Sequence, residues 1–408
     1  MLLNMDFNFL SSMKGEVMAK KKYLYEVDLM RVVFIFGVLL NHVTSTITNN
    51  LSTGSISQNV MNSTHLALHF TRMGFMFMTG LVLTLNYYQR KNNWLTFWKK
   101  RYWSVGIPYL AWNAIMLLLA DLFSQGSVSI GSLITKWLHY VQYGDHFYMY
   151  YLLVTMQLYL LFPLLLKLFK RFEKGNGHLV ILITSILIQA SLMVGIKYWL
   201  PHIDTSSWWY LFSNYGFNIG VYQVYFIAGA YTAIHYAQVE ASIMQNYKLI
   251  CCLALTLALG TILIYQGDIN ILGMSENAAH SPHQPYILFY ALCMIAFIFW
   301  LGRKYAYSRN KGLWPWLDHL IHLGAKLSFG IYLVQTIPIA ILAEFLSQMQ
   351  LSNVTLMLLG PILYLLVAAL AFMIAWIIYK VPPFGILIGR SNSKYLKKRS
   401  TVIKNLNN

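Results

Sequence analysis

One apolar stretch of this sequence, EVDLMRVVFIFGVLLNH, carries three ionisable side chains: Asp28, Arg31 and His42. Arg31 and His42 stand eleven positions apart. In a helix that is about three turns, so both project from one face with an axial separation of about 16 Å. Asp28, three residues before Arg31, can pair with it across one turn. The imidazole is a candidate base, since histidine is the side chain whose ordinary titration lies near neutral pH. A second apolar stretch, RMGFMFMTGLVL, opens on Arg72.

The surrounding chain says what must position these groups. Its 408 residues are 58% hydrophobic and 16% aromatic but only 11% charged, with a mean hydropathy of +0.52. Soluble domains carry about 25% charged residues, so a water-facing surface could not be covered. Apolar runs long enough for a ~30 Å hydrocarbon core recur from end to end. The expected fold is therefore all-α: a polytopic membrane protein of about ten transmembrane helices, because backbone polar groups in lipid must be satisfied within each span. The spans are expected near 28–49, 65–89, 102–122, 146–168, 178–199, 218–237, 248–266, 284–302, 322–345 and 354–379.

The net charge of +17 does not indicate nucleic acid, because the basic residues lie between the spans. Lys20 to Lys22, Arg90 to Arg101, Lys167 to Lys174, Arg303 to Lys311 and Lys394 to Arg399 fall on one face, while the opposite loops hold only Lys136 and Lys197. The positive-inside rule makes the rich face cytoplasmic and places both termini there. Three parts are expected: a basic N-terminal segment 1–22, a single transmembrane domain 23–380 and a basic tail 381–408. No cleavable signal opens the chain, and part of segment 1–22 reads as an extension ahead of a start at Met18. Cys251, Cys252 and Cys293 fall in apolar stretches without metal-type spacing, and no metal site is expected.

Ionisable groups inside a bilayer are costly, so Asp28, Arg31, His42 and Arg72 are functional candidates. In the expected topology Arg31 lies near the inner boundary, and His42 and Arg72 share a depth in the outer half. Blander roles exist for each. A transmembrane histidine can simply hydrogen-bond a neighbouring helix, and Asp28 with Arg31 can be a snorkelling anchor. His65 and His69, at the outer end of the second span, read as interfacial.

Five segments in order resemble the acyltransferase-3 family of membrane enzymes. The first helix has an acidic residue, an arginine and a histidine eleven positions later, as Asp28, Arg31 and His42. Arg72 to Leu83 is similar to the second helix, with Thr79-Gly80 where Ser-Gly is usual. FWKKRYWSVGIPY resembles the basic inner loop, with Lys100, Arg101 and Pro108 in register. HFYMYYLLVTMQLYLLFP resembles the fourth helix, with Phe147-Tyr148 in place of Trp-Phe. LGAKLSFGIYLVQTIPI resembles a Ser-x-x-x-Tyr-Leu-x-His segment, here with Tyr332 and with Gln335 at the histidine position. Glutamine can donate and accept hydrogen bonds but takes no proton at neutral pH, so an acid–base role there would fall to His42 alone. The closing PPFGILIGR is also similar to the members encoded with surface-polysaccharide synthesis, including the intercellular-adhesin type.

The resemblance implies transfer of an acetyl or other short acyl group from cytoplasmic acyl-CoA to a hydroxyl of an extracytoplasmic surface glycan, at the cell membrane. In that reading Arg31, Lys100 and Arg101 hold the coenzyme's phosphates, although positive-inside placement also explains the lysines. The catalytic group would be His42, Arg72 and Asp28, with His42 as base or acyl carrier, Arg72 facing the developing oxyanion and Asp28 pairing with Arg31. Gln335 and Tyr332 would contact substrate. Trp208 and Trp209 could stack on sugar rings, or belong to an interfacial aromatic belt. The expected partners are acyl-CoA, the glycan acceptor, the bilayer and a glycan synthase complex, with no nucleic acid. The rival readings are a polysaccharide exporter or flippase, and a non-catalytic subunit of a glycan synthase.

Overall fold

The structure is a computed structural model that describes residues 23–123, 129–312 and 314–390. Segment 1–22 and the tail beyond 390, with the basic runs expected there, lie outside the described residues. The helices in chain order are α1 (Tyr25–Thr48), α2 (Ile56–His65), α3 (Phe70–Tyr87), α4 (Trp94–Phe123), α5 (Ile130–Tyr143), α6 (Tyr150–Arg171), α7 (Gly177–Val194) and α8 (Tyr210–Ser213). They continue as α9 (Gln223–Ile234), α10 (Tyr236–Gln245), α11 (Tyr247–Asn270), α12 (Glu276–Ala279), α13 (Pro285–Asn310), α14 (Pro315–Val334), α15 (Thr336–Ser347) and α16 (Asn353–Lys380). Among the described residues there is no strand.

Among the described residues eight helices are long and apolar enough to cross a membrane, or nine if α14 and α15, bent by 55°, form one span. Their outward faces carry leucines such as Leu187, Leu263, Leu358 and Leu365, each more than half exposed, as a lipid-facing surface requires. The core is centred on α1, which packs against α3, α13, α14 and α16.

The expected sixth span differs in kind. Instead of a helix over 218–237, the chain makes two 3-10 turns, Tyr215–Phe217 and Ile219–Val221, and only then the 12-residue α9. At 1.5 Å per residue α9 alone is too short for the hydrocarbon core. Two glutamines satisfy the irregular backbone before it, and a third, Gln223 at the start of α9, ties α9 to α7. Gln157 binds the Phe217 carbonyl and the Ile219 amide, at 2.8 and 3.3 Å. Gln189 donates to the Val221 carbonyl at 2.8 Å, and Gln223 donates to the Ser185 carbonyl at 2.8 Å. Irregular backbone at membrane depth survives only when protein supplies its hydrogen bonds, and Gln157 and Gln189 supply them.

The α9 helix is clamped to α3 by two glycines. A Cβ on Gly80 would lie 2.1 Å from the Phe226 carbonyl oxygen, and one on Gly229 would lie 2.0 Å from that of Phe77. Close backbone approach at small residues is how helices associate without a hydrophobic driving force in lipid.

The first and last described residues share one end of the bundle. The Tyr23 hydroxyl and His322 Nδ1 both reach Asp28, at 2.7 and 3.0 Å. Arg390 donates to the carbonyl of Lys326, one turn along α14 from His322, at 2.8 Å. Both ends of the described chain therefore pack against the α1–α14 pair at the Asp28 end.

Candidate functional site

Two connected cavities run through the bundle. The wider, about 360 Å³, is lined by Arg31, Thr79, Ser104, Ser328 and Arg390, with Thr155 and Tyr159 opposite. The narrower, about 30 Å³, is lined by Val38, Asn41, His42, Thr71, Arg72, Tyr148 and Tyr150. Phe75, Tyr151 and Tyr332 border both. The helical stripe on α1 thus has Arg31 at the wide end and His42 at the narrow one, three turns away.

The narrow chamber is rigidly built. His42 stacks on Tyr148, with ring centroids 3.6 Å apart and an interplanar angle of 25°. Phe147, just before, takes φ 52°, a left-handed conformation unfavourable for a bulky residue. The hydroxyl of Tyr332 donates to the Tyr148 carbonyl, fixing the same turn from α14.

Arg72 reaches His69 Nδ1 at 3.0 Å and the Tyr150 hydroxyl at 3.1 Å. Because Nδ1 of His69 accepts, its Nε2 carries the proton and donates to the His280 carbonyl at 3.1 Å. Asn41 divides its amide between His65 Nε2 at 3.3 Å and His69 Nδ1 at 3.4 Å. Among the described residues no carboxylate pairs with Arg72. Burial, and then the charge of Arg72, push His283 in the neighbouring loop down to about 3, so that side chain adds no charge either. A guanidinium held by neutral partners in a protein interior leaves its field open to an incoming negative charge.

This corrects the interfacial reading of His69, which is buried and positions Arg72. Lys197, expected as an outer-loop charge, is also buried, 2.5 Å from Asp268 and 3.1 Å from Gln284. It pins the segment that carries His280.

At the wide end Arg31 lies 3.9 Å from Asp28 and shares the cavity wall with Arg390. Asp28 also accepts from Tyr23, whose phenol burial and this hydrogen bond push up to about 12, keeping it a donor at neutral pH. Asp28 is fourteen residues from His42, about 21 Å along the helix, and does not line the narrow chamber. The structure thus places Asp28 beside Arg31 and apart from the other two members of the expected catalytic group.

The remaining expected site residues divide. Tyr332 lines both cavities. Gln335 is fully buried at the bend between α14 and α15, one turn beyond Tyr332, and neither amide atom has a partner. Arg101 does not line the crevice. Its guanidinium stands 5.8 Å from the Tyr159 ring, behind the cavity wall, and its Nε is buried without a partner. Lys100 is exposed. Trp208 and Trp209 are 41% and 68% exposed on the α7–α9 connection, and the structure does not bring them to the crevice. Their apolar rings face outward there, as in an interfacial belt.

Sequence reasoning missed Arg390, Ser328 and the tyrosines 148, 150 and 151. Ser328 and Tyr332, four apart, were legible as one helix face. Arg390 was signalled only by the PPFGILIGR resemblance. It reaches the crevice because the 3-10 turn Phe384–Ile388 folds back, with Trp112 donating to the Leu387 carbonyl at 2.8 Å.

A polytopic helical bundle in which an arginine-lined cavity adjoins His42 and an arginine with neutral partners is an integral membrane protein with a polar interior site. The Acyl_transf_3 family model, an acyltransferase domain, matches residues 24–380, and the chain belongs to that family. It is a membrane acyltransferase. No curated protein and no solved structure matches the chain.

Proposed function

We propose that the chain transfers a short acyl group, acetyl foremost, from acyl-CoA to a hydroxyl of an extracytoplasmic glycan at the cell membrane. The observation that carries this reading is the single crevice with two arginines at its wide end and His42 with Arg72 at its narrow end. The wide end is taken as cytoplasmic. It coincides with the ends of α3, α6 and α13, where Arg90, Lys170, Arg171 and Arg309 cluster, and positive charge marks the inner face.

Arg31 and Arg390 meet the coenzyme's phosphates, for which a guanidinium fork is suited. Lys100 and Arg101 add positive potential at the same end without lining the cavity. The pantetheine arm extends along the 360 Å³ crevice and brings the thioester to His42. The acceptor oxygen attacks the carbonyl carbon while His42 takes its proton. Arg72 stabilises the oxyanion, the carbon–sulfur bond breaks, and the departing thiolate receives the proton from His42. General-base help of this kind is worth about 10²–10⁴ in rate. Gln335, at the family's histidine position, lines neither cavity and takes no proton at neutral pH, so His42 alone serves both halves of the transfer. A chamber of about 30 Å³ would not pass a sugar, which counts against a glycan exporter.

The test is the acyl content of surface glycan in cells carrying wild type or His42→Ala at equal membrane expression. Acylation should fall to background while polymer is still exported. Unchanged acylation with halted export would replace this reading by transport.

A further inference from the structure

The two cavities differ about tenfold in volume, 360 against 30 Å³, and the small one surrounds the reacting end. We infer that the chamber at His42 is a chain-length filter that accepts an acetyl group and excludes longer acyl groups, with Val38 and Phe75 setting the limit. The inference rests on the acyl-transfer reading above and deepens it.

A volume of 30 Å³ holds about two water-sized groups. That is room for a carbonyl oxygen and one methyl. The walls have little freedom to retreat. Tyr148 is stacked on His42 and its carbonyl is bound by Tyr332, while the Tyr150 hydroxyl accepts from Arg72. Tyr151 packs between Phe75 and Tyr332, with ring centroids 6.3 and 5.5 Å away.

The other two walls hold no polar contact. Val38 lies on α1 one turn before His42, is 8% exposed, and is stiff at its branched Cβ. Phe75 borders both cavities and is braced by Phe34 at 5.9 Å, so it stands at the throat between them. Removing part of either side chain enlarges the chamber without touching His42, Arg72 or their hydrogen bonds. A pocket that fits one methyl discriminates against each added methylene by about 10–200-fold.

The chemistry is unchanged by chain length. The acceptor O–H supplies the proton that ends on the coenzyme thiol, one C–O bond forms and one C–S bond breaks. Any preference must therefore come from the walls.

The experiment uses inside-out membrane vesicles from cells that make the native glycan. They are supplied with acetyl-, propionyl- or butyryl-CoA labelled in the acyl group, and label entering glycan is counted. Vesicles with His42→Ala are the blank. Wild type should fall by at least about tenfold from acetyl to propionyl and again to butyryl. Val38→Ala and Phe75→Leu should each raise the butyryl-to-acetyl ratio by about tenfold or more. Val38→Phe should fill the chamber and lower acetyl transfer itself. Equal wild-type rates for the three donors, or enlarged chambers with an unmoved ratio, would overturn the filter and leave acyl transfer standing. No label above the blank from any donor would overturn the acyl-transfer reading and the filter with it.

Discussion

The two ends of the crevice handle positive charge in opposite ways. At the wide end Arg31 has Asp28 at 3.9 Å, and Arg390 is solvent-exposed. Both charges are partly compensated by a carboxylate or by water. At the narrow end Arg72 has neutral partners, the phenols of Tyr150 and Tyr222 and the imidazole of His69, in a chamber too small for bulk water. Coulomb energies grow as the effective dielectric falls, so the same guanidinium acts more strongly where water is excluded. The wide end is thus suited to capture an anion that is already charged. The narrow end is suited to meet a charge that appears only during reaction.

The largest effect that tests this contrast is at Arg72. Arg72→Gln keeps a hydrogen-bonding side chain and removes the charge. Its kcat should fall by about 10²–10³, as for loss of an oxyanion partner, with the KM for acyl-CoA little changed. A change confined to KM would mean that Arg72 binds donor rather than transition state. Next in size, Arg31→Ala and Arg390→Ala should raise the KM for acyl-CoA by about tenfold to a hundredfold, since a hydrogen bond to a charged group is worth about 1.5–3 kcal/mol. In both, kcat should hold. An effect on kcat alone would place these arginines in the chemistry and erase the distinction between the ends. The smallest effect is expected at Trp209→Ala, with acyl-CoA kinetics within about twofold of wild type. A tenfold loss in acceptor use there would restore the sugar-stacking role that its exposed position does not support.

Much of this arrangement was legible along the chain. The Arg31–His42 register is a local property: eleven positions on a helix put both groups on one face, whatever else packs around them. Arg72 was placed at the depth of His42 by span boundaries alone, and the two do line one chamber. The charge asymmetry, from which an orientation is expected, is likewise a count along the sequence.

Where sequence and structure differ, the cause is shared. Asp28 was grouped with His42 because both lie on one apolar helix, while the crevice is selected by which faces meet. His69 looked interfacial because it sits at a span end, yet the loop carrying His280 folds over it. Segment 218–237 is apolar enough for a span, but hydropathy does not report where backbone hydrogen bonds go. Gln157 and Gln189, from two other helices, satisfy a broken crossing that no local pattern announces.

By itself the sequence determined the class of fold, the polar stripe on α1 and the order of the motifs, because helix period and lipid solvation act on neighbouring residues. The packing of distant segments settled that Arg390 joins Arg31, that Arg72 has no carboxylate partner among the described residues, and how little room remains around His42. Those are properties of contacts between segments up to 359 positions apart, and no rule of local spacing reaches that far.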